Sequence, residues 1–433
     1  MAAPGLVIAA PSSGSGKTVA VLALLRHFRR AGVAVASRKV GPDYIDPMFH
    51  AAASGGPCLN LDPWAMRPAT VARLADADAD LLVVEGVMGL FDGAADGTGS
   101  TADLAAAAGW PIVLVVDAKA QSQSVAALVH GFATFRRDVT IAGVILNRVG
   151  SPNHEAILRA ALAPLDVTVL GALPRLDALR LPDRHLGLVP AGEHGALEDF
   201  LEGAADAVAR HVDTAALRDL ARPAGFSGGT DTSPMAPLGQ RIAIASDDAF
   251  VFAYPHLLAG WRDAGAELSH FSPLADQPPD ALADAVFLPG GYPELHAARL
   301  ATSTGFLSGL RSAAARGAII YGECGGYMVL GRSLEDGDGV PHTMAGLLPV
   351  DTSFAKRRLH LGYREAVTVA ASALGPVGTV HRGHEFHYAS IMAEDGDAPL
   401  FRARDARGSD MGSMGTRRGT VMGSFVHLVD RRP

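Results

Sequence analysis

The sequence of 433 residues has only two cysteines, no long apolar run and no surplus of positive charge. Two cysteines cannot form a disulfide framework in a chain of this length, which favours a cytoplasmic protein. Without about 18 consecutive uncharged apolar residues no transmembrane helix is predicted, and a start without basic residues predicts no secretory signal. The 37 lysines and arginines against 45 acidic residues give a net charge of −8, which argues against nucleic acid as a partner.

The sequence does contain enough hydrophobic material for folded domains. Hydrophobic residues make up 48% and charged residues 19%, a composition that excludes global disorder. Short β-branched runs alternate with alanine-rich helical stretches, which is typical of a parallel sheet with helices on both faces. The predicted strands of the first half are 5–10, 33–40, 81–86, 112–117, 141–147 and 167–173.

A stretch rich in glycine, proline and small residues, 222–240, interrupts this pattern and is predicted to be a linker. Beyond about residue 345, strands follow one another without long helices. We therefore expect two α/β domains, a mostly parallel N-terminal sheet at 1–221 and a second α/β domain at 241–433. The strands predicted to open the second domain are 242–245, 267–271, 285–288 and 318–321.

The first predicted strand leads into a loop of glycine and serine, PSSGSGKT at 11–18, and then into a helix. Strand, glycine-rich loop and helix are the setting in which backbone N–H groups at a helix N-terminus bind phosphate. Lys17 would reach the terminal phosphates, and the Thr18 hydroxyl would hold Mg²⁺. Pro11 departs from the usual P-loop pattern, which has glycine there. The predicted nucleotide-binding residues of this loop are Ser13, Gly14, Ser15, Gly16, Lys17 and Thr18.

Polar residues follow three further strands at the predicted carboxyl edge of the sheet. The segment 38–47 (RKVGPDYIDP) carries Lys39 and two aspartates, which this edge would place beside the P-loop. Glu85 ends a buried strand, where a carboxylate would hold the metal of a nucleotide directly or through water. Asn147 and Arg148 end another strand and are candidates for contact with the nucleotide base.

The segments 39–47 (KVGPDYIDP) and 85–93 (EGVMGLFDG) resemble signatures of the cobyrinic and hydrogenobyrinic acid a,c-diamide synthases, which belong to the dethiobiotin-synthetase-like ATPases. In that larger group the nucleotide drives activation of a carboxylate, so the resemblance implies ATP as co-substrate and Mg²⁺ as cofactor. The residues singled out for this chemistry are Thr18, Asp46 and Glu85 for the metal, Lys39 and Asn147 for the nucleotide, and Asp43, Tyr44, Asp46 and Asp92 for positioning substrate or orienting ammonia.

A second constellation lies in the C-terminal half. The segment 318–328 (AIIYGECGGYM) predicts a strand that enters a tight turn before a helix, and a nucleophile at such an elbow needs small neighbours. The helix N-terminus would favour a thiolate at Cys324, whereas Cys58 has no such setting and is predicted to be structural. A cysteine nucleophile needs a base, and His427, at the end of GSFVH (423–427), is the best placed of the 16 histidines.

Three more histidines, His381, His384 and His387, lie in a predicted strand with alternating faces, VHRGHEFHY at 380–388. Contact with substrate and simple exposure stay open for them. A metal site is a further, less favoured alternative.

The turn LPGGYPE at 288–294 follows a strand and could aim a backbone N–H at an oxyanion. With the cysteine elbow and the terminal histidine, it makes the C-terminal half resemble the class I glutamine amidotransferase domain in its cobyrinic/cobyric variant. The resemblance implies that Cys324 attacks the glutamine amide, that His427 raises the nucleophilicity of Cys324, and that Gly291 contributes to the oxyanion hole. The common class I domain has a glutamate two residues after the histidine, where this chain has Val429, so the sequence leaves the orientation of His427 unexplained.

Together the resemblances imply an ATP- and glutamine-dependent amide ligase of cobalamin biosynthesis, acting on the a and c acetate groups of a corrin. A composition typical of a GC-rich genome favours the aerobic route and hydrogenobyrinic acid, with cobyrinic acid as the alternative and a nickel-sirohydrochlorin third. A partner-regulated P-loop switch ATPase is the alternative from another class, but such a protein needs no glutaminase. The predicted partners are ATP, glutamine and a corrin polycarboxylate, with no nucleic acid and no membrane, and a homodimer stays an open alternative.

An acidic protein that binds a polyanion needs local positive charge. The segments KRR at 356–358 and GYR at 362–364 could supply it, with Arg357, Arg358 and Arg364 as candidate substrate contacts. A solvated surface patch is an equally good interpretation of this run.

Overall fold

The computed structural model describes residues 3–175, 183–184, 187–188, 195–226, 235–395 and 398–432. The chain divides into two compact units, Met1–Trp64 with Pro68–Thr232 and Ala65–Arg67 with Ser233–Pro433. The domain bounds 1–221 and 241–433 stay a prediction, and residues 227–234 of the predicted linker lie outside the described ones. Within the described residues, no helix combines the length and the apolar character needed to cross a membrane.

Where the structure describes it, the first unit contains one seven-stranded sheet, a short two-stranded pair and eight α-helices. The strands are β1 (Gly5–Ala9), β2 (Val35–Val40), β3 (Cys58–Leu61), β4 (Leu81–Glu85), β5 (Ile112–Asp117), β6 (Ile141–Val149), β7 (Thr168–Pro174), β8 (Asp183–Arg184) and β9 (Gly187–Leu188). The helices are α1 (Lys17–Arg30), α2 (Asp46–Ser54), α3 (Pro68–Ala75), α4 (Thr101–Ala108), α5 (Ser124–Thr134), α6 (Pro152–Leu162), α7 (Leu197–His211) and α8 (Thr214–Leu220).

The large sheet of this unit has the strand order β3-β2-β4-β1-β5-β6-β7, and all its pairings are parallel. Every residue of β1 and β4 is buried. Because successive residues of a strand point to opposite faces, burial of the whole strand means that both faces are covered. The predicted parallel α/β sheet is confirmed. Of the seven strands in this sheet, the sequence pattern missed only β3, which is short and has no β-branched residue.

The parallel register collects polar side chains at the carboxyl edge of this sheet. Lys39 in β2 is the register partner of Glu85 in β4, and Glu85 is in turn the partner of Ile8 in β1. The loop between β1 and α1 leaves the same edge. Three segments that are far apart in the chain therefore converge there.

In its described residues, the second unit carries four α-helices, two sheets and two short 3-10 helices at Pro273–Ala275 and Pro293–Leu295. The strands are β10 (Arg241–Ala245), β11 (Glu267–Phe271), β12 (Ala285–Leu288), β13 (Ile319–Glu323), β14 (Ser333–Glu335), β15 (Pro341–Thr343), β16 (Val350–Ser353), β17 (His360–Thr368), β18 (Val380–His387), β19 (Ser390–Glu394), β20 (Ala398–Asp405), β21 (Asp410–Arg418), β22 (Val421–Ser424) and β23 (His427–Arg431). The helices are α9 (Pro255–Asp263), α10 (Ala297–Thr302), α11 (Thr304–Ala315) and α12 (Gly325–Leu330).

Ten strands of this unit form a mixed sheet in the order β11-β10-β12-β13-β22-β21-β20-β17-β18-β23. The part from β11 to β22 is parallel, and the part beyond β22 is antiparallel. A smaller sheet has the order β15-β14-β16-β19. Among the described residues after α12 there are strands and no helices, as the sequence predicts.

Candidate active sites

The glycine-rich loop connects β1 to α1 with its tip exposed and its base buried. Ser13 and Gly14 are exposed, whereas Ser15 and Lys17 are buried. Gly16 adopts a positive φ of 88° immediately before the first residue of α1, a backbone conformation that favours glycine. Asn147 at the end of β6 donates a hydrogen bond from Nδ2 to the Ser15 carbonyl at 2.9 Å. In the structure Asn147 therefore braces the loop, a contact that the sequence did not predict.

Four predicted residues form one cluster beside this loop. The Thr18 hydroxyl donates to Glu85 Oε1 at 2.6 Å and lies 3.4 Å from Asp46 Oδ2. Lys39 Nζ contacts Asp46 Oδ2 at 2.5 Å and Glu85 Oε1 at 2.9 Å. Three oxygen-bearing side chains and one ammonium group thus meet at the carboxyl edge of the sheet.

His50 also belongs to this cluster, although the sequence analysis did not predict it. It lies on α2, one turn after Asp46, and its Nε2 is 2.6 Å from Glu85 Oε2 while its Nδ1 is 3.4 Å from Cys58 Sγ. The signal available in the sequence was the i, i+4 spacing from Asp46, which places both side chains on one face of a helix that begins at Asp46. Cys58 is buried and packs against this histidine.

The buried charges of this cluster are held by their opposite partners. Burial alone would raise the pKa of Glu85, but Lys39 and His50 hold the pKa of Glu85 well below its usual range. Burial likewise opposes a charge on His50, yet its contacts with Cys58 and Glu85 raise the pKa of His50 to about 10. For Asp46, burial and the nearby Asp43 raise the pKa to about 6.

The other predicted acids of this unit have local partners. Asp43 Oδ1 accepts hydrogen bonds from the N–H groups of Ile45 and Asp46 at 2.9 and 3.1 Å, which stabilises the start of α2. Its Oδ2 lies 3.8 Å from Lys39 Nζ, so Asp43 borders the cluster. Tyr44 beside it is half-buried. Asp92 is exposed, and its Oδ2 accepts a hydrogen bond from Gly89 N–H within its own loop at 2.8 Å.

Cys324 lies at the turn between β13 and α12, as the sequence predicts. Its φ of 47° is a left-handed value that residues other than glycine adopt rarely, which is the strained geometry of a nucleophile elbow. Its N–H donates to the Ser424 carbonyl at 2.8 Å, which ties the elbow to the end of β22. The side chain is buried, with 3% of its surface exposed.

His427 at the start of β23 lies next to this elbow. A Cβ atom on Gly290 would be 2.4 Å from His427 Cε1 and 3.4 Å from Cys324 Cβ, so the imidazole and the cysteine flank the same glycine. Only glycine fits there. The ring of His384 stacks on that of His427 with centroids 4.9 Å apart and planes 10° apart.

Gly291 follows at the turn after β12, and a Cβ there would be 2.1 Å from the Ala249 carbonyl oxygen. The backbone is therefore packed too closely for any side chain. Gly291 N would be 3.1 Å from a Cβ on Gly325, the residue after Cys324. The predicted oxyanion group thus lies beside the cysteine elbow.

Burial keeps the groups of this second site neutral. It raises the pKa of the Cys324 thiol far above its ordinary value, and the carboxyl groups of Glu294, Glu323 and Glu385 act in the same direction. Burial and the neighbouring His384 and His387 lower the pKa of His427 well below its ordinary value. At Cys324, burial therefore opposes the thiolate that the helix N-terminus would favour.

Both halves of the chain match family models of the expected chemistry. Residues 6–189 match the CobQ/CobB/MinD/ParA nucleotide binding domain, and residues 241–432 match the CobB/CobQ-like glutamine amidotransferase domain. Proteins named hydrogenobyrinate a,c-diamide synthase from Brucella suis, Sinorhizobium and Rhodobacter capsulatus are 58%, 56% and 53% identical to this chain, over 98% of this chain and 98% of each relative. The chain belongs to the hydrogenobyrinate a,c-diamide synthase family.

Membership of the hydrogenobyrinate a,c-diamide synthase family confirms the resemblance found in the sequence. It also confirms the predicted class of enzyme, a glutamine-dependent amide-forming ligase with a nucleotide-binding domain. The roles of individual residues stay predictions. The structure nevertheless shows which of these residues lie together at one site and which lie elsewhere.

The predicted substrate cations fall into two groups. Lys356, Arg357 and Arg358 are exposed between β16 and β17. Arg364 is buried in β17, and its Nε is 2.6 Å from Glu385 Oε2 on the neighbouring strand β18. Its charge is already balanced by a carboxylate, which argues against Arg364 as a free contact for the substrate.

The three histidines of β18 are all buried, so the alternative of simple exposure is wrong. His381 Nε2 contacts the Leu374 carbonyl at 2.9 Å, His384 Nε2 bonds the Tyr254 hydroxyl at 2.8 Å, and His387 stacks on Phe425 with centroids 3.9 Å apart. No group of three metal-ligating side chains occurs in the part of the chain that the structure describes. A β-bulge between Arg382 and Gly383 breaks the simple alternation of faces that the sequence suggested.

Proposed function

We propose that this protein forms the a,c-diamide of hydrogenobyrinic acid, using ATP to activate each carboxylate and glutamine as the nitrogen donor. The observation that carries the proposal is the 53–58% identity, over 98% of both chains, to proteins named for this reaction. The two clusters supply the two halves of the chemistry that such a reaction requires. We also place the reaction in the cytoplasm, where reducing conditions keep Cys324 a thiol.

The phosphate cluster suits transfer of the γ-phosphoryl group of ATP to a substrate carboxylate. The carboxylate oxygen forms a bond to phosphorus, ADP leaves, and an acyl phosphate results. Lys17 at the loop base would contact the terminal phosphates, and the loop N–H groups of residues 13–16 would bind their oxygens. Asp43, Tyr44 and Asp92 are the proposed contacts for substrate or ammonia. Attack by ammonia on the acyl phosphate then gives the amide and releases phosphate.

The residues present also fit Mg²⁺. Thr18, Asp46 and Glu85 place hydroxyl and carboxylate oxygens in one cluster, and hard oxygen ligands are those Mg²⁺ prefers. Mg²⁺, when bound, would neutralise charge that develops on the transferred phosphoryl group. Lys39 and His50 hold the Asp46 and Glu85 carboxylates in place through the contacts described above.

The cysteine site suits release of ammonia from glutamine. Cys324 Sγ would attack the side-chain amide carbon while His427 takes the thiol proton, and the Gly291 N–H would stabilise the oxyanion. His427 then gives the proton to the departing ammonia. Water hydrolyses the thioester that remains, which yields glutamate and restores the thiol.

The exposed arginines Arg357 and Arg358 are proposed to attract the substrate carboxylates, because the net charge of −8 cannot do so. Assay of the purified protein with ATP and glutamine on hydrogenobyrinic acid and on cobyrinic acid tests the assignment. We expect a two-step gain of amide groups on the metal-free macrocycle. Equal turnover of both would contradict the choice of substrate, and turnover of neither would contradict the function.

A further inference from the structure

The orientation of His427 has no explanation in the residues that follow it. Side chains two apart on a strand share a face, but the residue two after His427 is Val429, which is buried and apolar. Asp430 has another partner. Its Oδ1 is 2.9 Å from Nη2 of Arg67, a residue that belongs to the second unit, and its Oδ2 accepts the Arg67 backbone N–H at 3.0 Å.

A different carboxyl group faces His427. Glu323, the last residue of β13, directly precedes Cys324 and is buried. Its Oε2 lies 3.8 Å from His427 Nδ1. Its Oε1 accepts hydrogen bonds from the Tyr321 hydroxyl at 3.0 Å and from the Leu428 N–H at 3.1 Å. One oxygen is thus anchored by two donors, and the other is directed at the imidazole.

We propose that Glu323 is the positioning residue for His427, in place of an acid after the histidine. It acts through His427 by favouring the tautomer with a proton on Nδ1, which leaves Nε2 to take the proton of Cys324. The proposal rests on the proposed glutaminase role of Cys324 and His427. The distance of 3.8 Å exceeds a hydrogen bond, but such contacts often shorten once substrate is bound.

Two neighbours make this arrangement specific. The His384 ring, itself bonded to Tyr254, stacks flat on His427 and restricts the plane of the imidazole. Glu323 then fixes which ring edge faces the nucleophile. Because Glu323 and Cys324 are adjacent on one elbow, the backbone sets the spacing between the orienting acid and the nucleophile.

The charge balance of the step agrees with this role. Before reaction, Cys324 and His427 are both buried. Burial raises the pKa of Glu323 to about 8, so this side chain titrates close to neutral pH. When the thiol proton moves to His427, an imidazolium forms in a site with little water, and the ionised form of Glu323 beside Nδ1 would stabilise it.

The test is the variant Glu323→Gln, which keeps the shape of the side chain and an oxygen to accept the Tyr321 and Leu428 donors. We expect kcat for glutamine hydrolysis to fall about 10- to 100-fold, the range typical for loss of a group that acts through a functional histidine. KM for glutamine should stay within about threefold, because the proposed role of Glu323 is to orient His427 and not to bind glutamine. Amidation with ammonium salt should keep the wild-type rate, and the rate of Cys324 alkylation by iodoacetamide should fall with kcat.

The matched control is Tyr321→Phe, which removes one of the two donors to Glu323 but keeps the carboxyl group. We expect it to lower glutaminase kcat less than Glu323→Gln does. A Glu323→Gln variant with wild-type kcat would overturn the proposal. So would a parallel loss of ammonium-dependent amidation, which would make Glu323 a residue of the fold. A wild-type protein that does not hydrolyse glutamine would instead count against the proposed function.

Discussion

The two candidate sites treat buried charge in opposite ways. In the phosphate cluster, Lys39, Glu85 and His50 are buried and ionised, and each is held in that state by an oppositely charged neighbour. In the cysteine site, burial instead opposes the charged forms of Cys324 and His427. The comparison separates a site whose charges exist before any ligand arrives from one whose charges form during reaction.

This difference fits the chemistry proposed for each site. Phosphoryl transfer requires a charged nucleotide to bind. Because the carboxylates and cations of the site are already fixed in place, little free energy is spent on rearranging them when the nucleotide binds. Glutamine is neutral at its reacting amide, and a neutral thiol–imidazole pair can bind it without separating charge first. The high pKa of the Cys324 thiol also means that the cysteine becomes nucleophilic only when His427 takes its proton.

The largest effect is expected from the variant Cys324→Ser, which removes the proposed nucleophile and tests whether the two sites act separately. We expect glutamine-dependent amidation to fall by at least about 10³-fold, because a serine hydroxyl at this site is a far poorer nucleophile. Amidation with ammonium salt should stay at the wild-type rate, since the phosphate cluster is untouched. Rates with both nitrogen sources are the measurement. Loss of both would show that Cys324 serves the fold or another reaction.

The reciprocal variant is Lys17→Ala in the phosphate loop. We expect amide formation with either nitrogen source to fall about 10²- to 10³-fold, the size seen when one group that stabilises transition-state charge is lost. Cys324 should remain alkylatable by a glutamine analogue at the wild-type rate. An unchanged rate of amide formation would contradict the phosphate-loop assignment.

The residues whose positions in the fold follow from sequence patterns are those whose neighbours are set by backbone geometry. Lys39 and Glu85 meet because parallel strands align their carboxyl ends, and Cys324 lies at an elbow because strand, glycines and helix follow in order. Such relations need only strand and loop boundaries. The fold class, set by alternating apolar runs and helices, was predictable for the same reason.

The contacts that the sequence did not reveal depend on packing across long separations. Glu323 and His427 lie on strands about 100 residues apart in the chain, a pairing that no local periodicity encodes. Arg364 resembled a free cation because its partner Glu385 lies across the β17–β18 pairing. His50 was missed because it reaches Glu85 from α2, a helix that the sequence analysis did not predict.

Acid should weaken the two units differently. A histidine whose pKa is lowered by folding stabilises the fold above its unfolded value of about 6.5, and this stabilisation is lost as the pH falls. Burial lowers the pKa of His384 to about 3, and His427 and His381 shift the same way. Between pH 7.5 and 5.5 we expect β18 to lose about 1 kcal/mol of stability through His384. Glu85, with its pKa held low, keeps its contribution until the pH falls below about 4.5.

Hydrogen exchange of peptides from β18 and β4, corrected for the intrinsic rate at each pH, measures this difference. The variant His384→Gln can still bond the Tyr254 hydroxyl but does not titrate, so it should lessen the pH-dependent loss in β18 by about 1 kcal/mol. Equal losses in both strands would show that the buried histidines are not the cause.

The smallest expected effect concerns how an acidic protein binds an anionic substrate. The double variant Arg357→Gln/Arg358→Gln should raise KM for the corrin about threefold to tenfold, because exposed charge pairs contribute little each. Glutamine hydrolysis without the corrin should not change. The control is Arg316→Gln, an exposed arginine after α11 in the same unit, which should leave KM unchanged. Added salt should raise KM of the wild type more than that of the double variant. A double variant that keeps the wild-type KM and salt response would make this run a solvated surface patch.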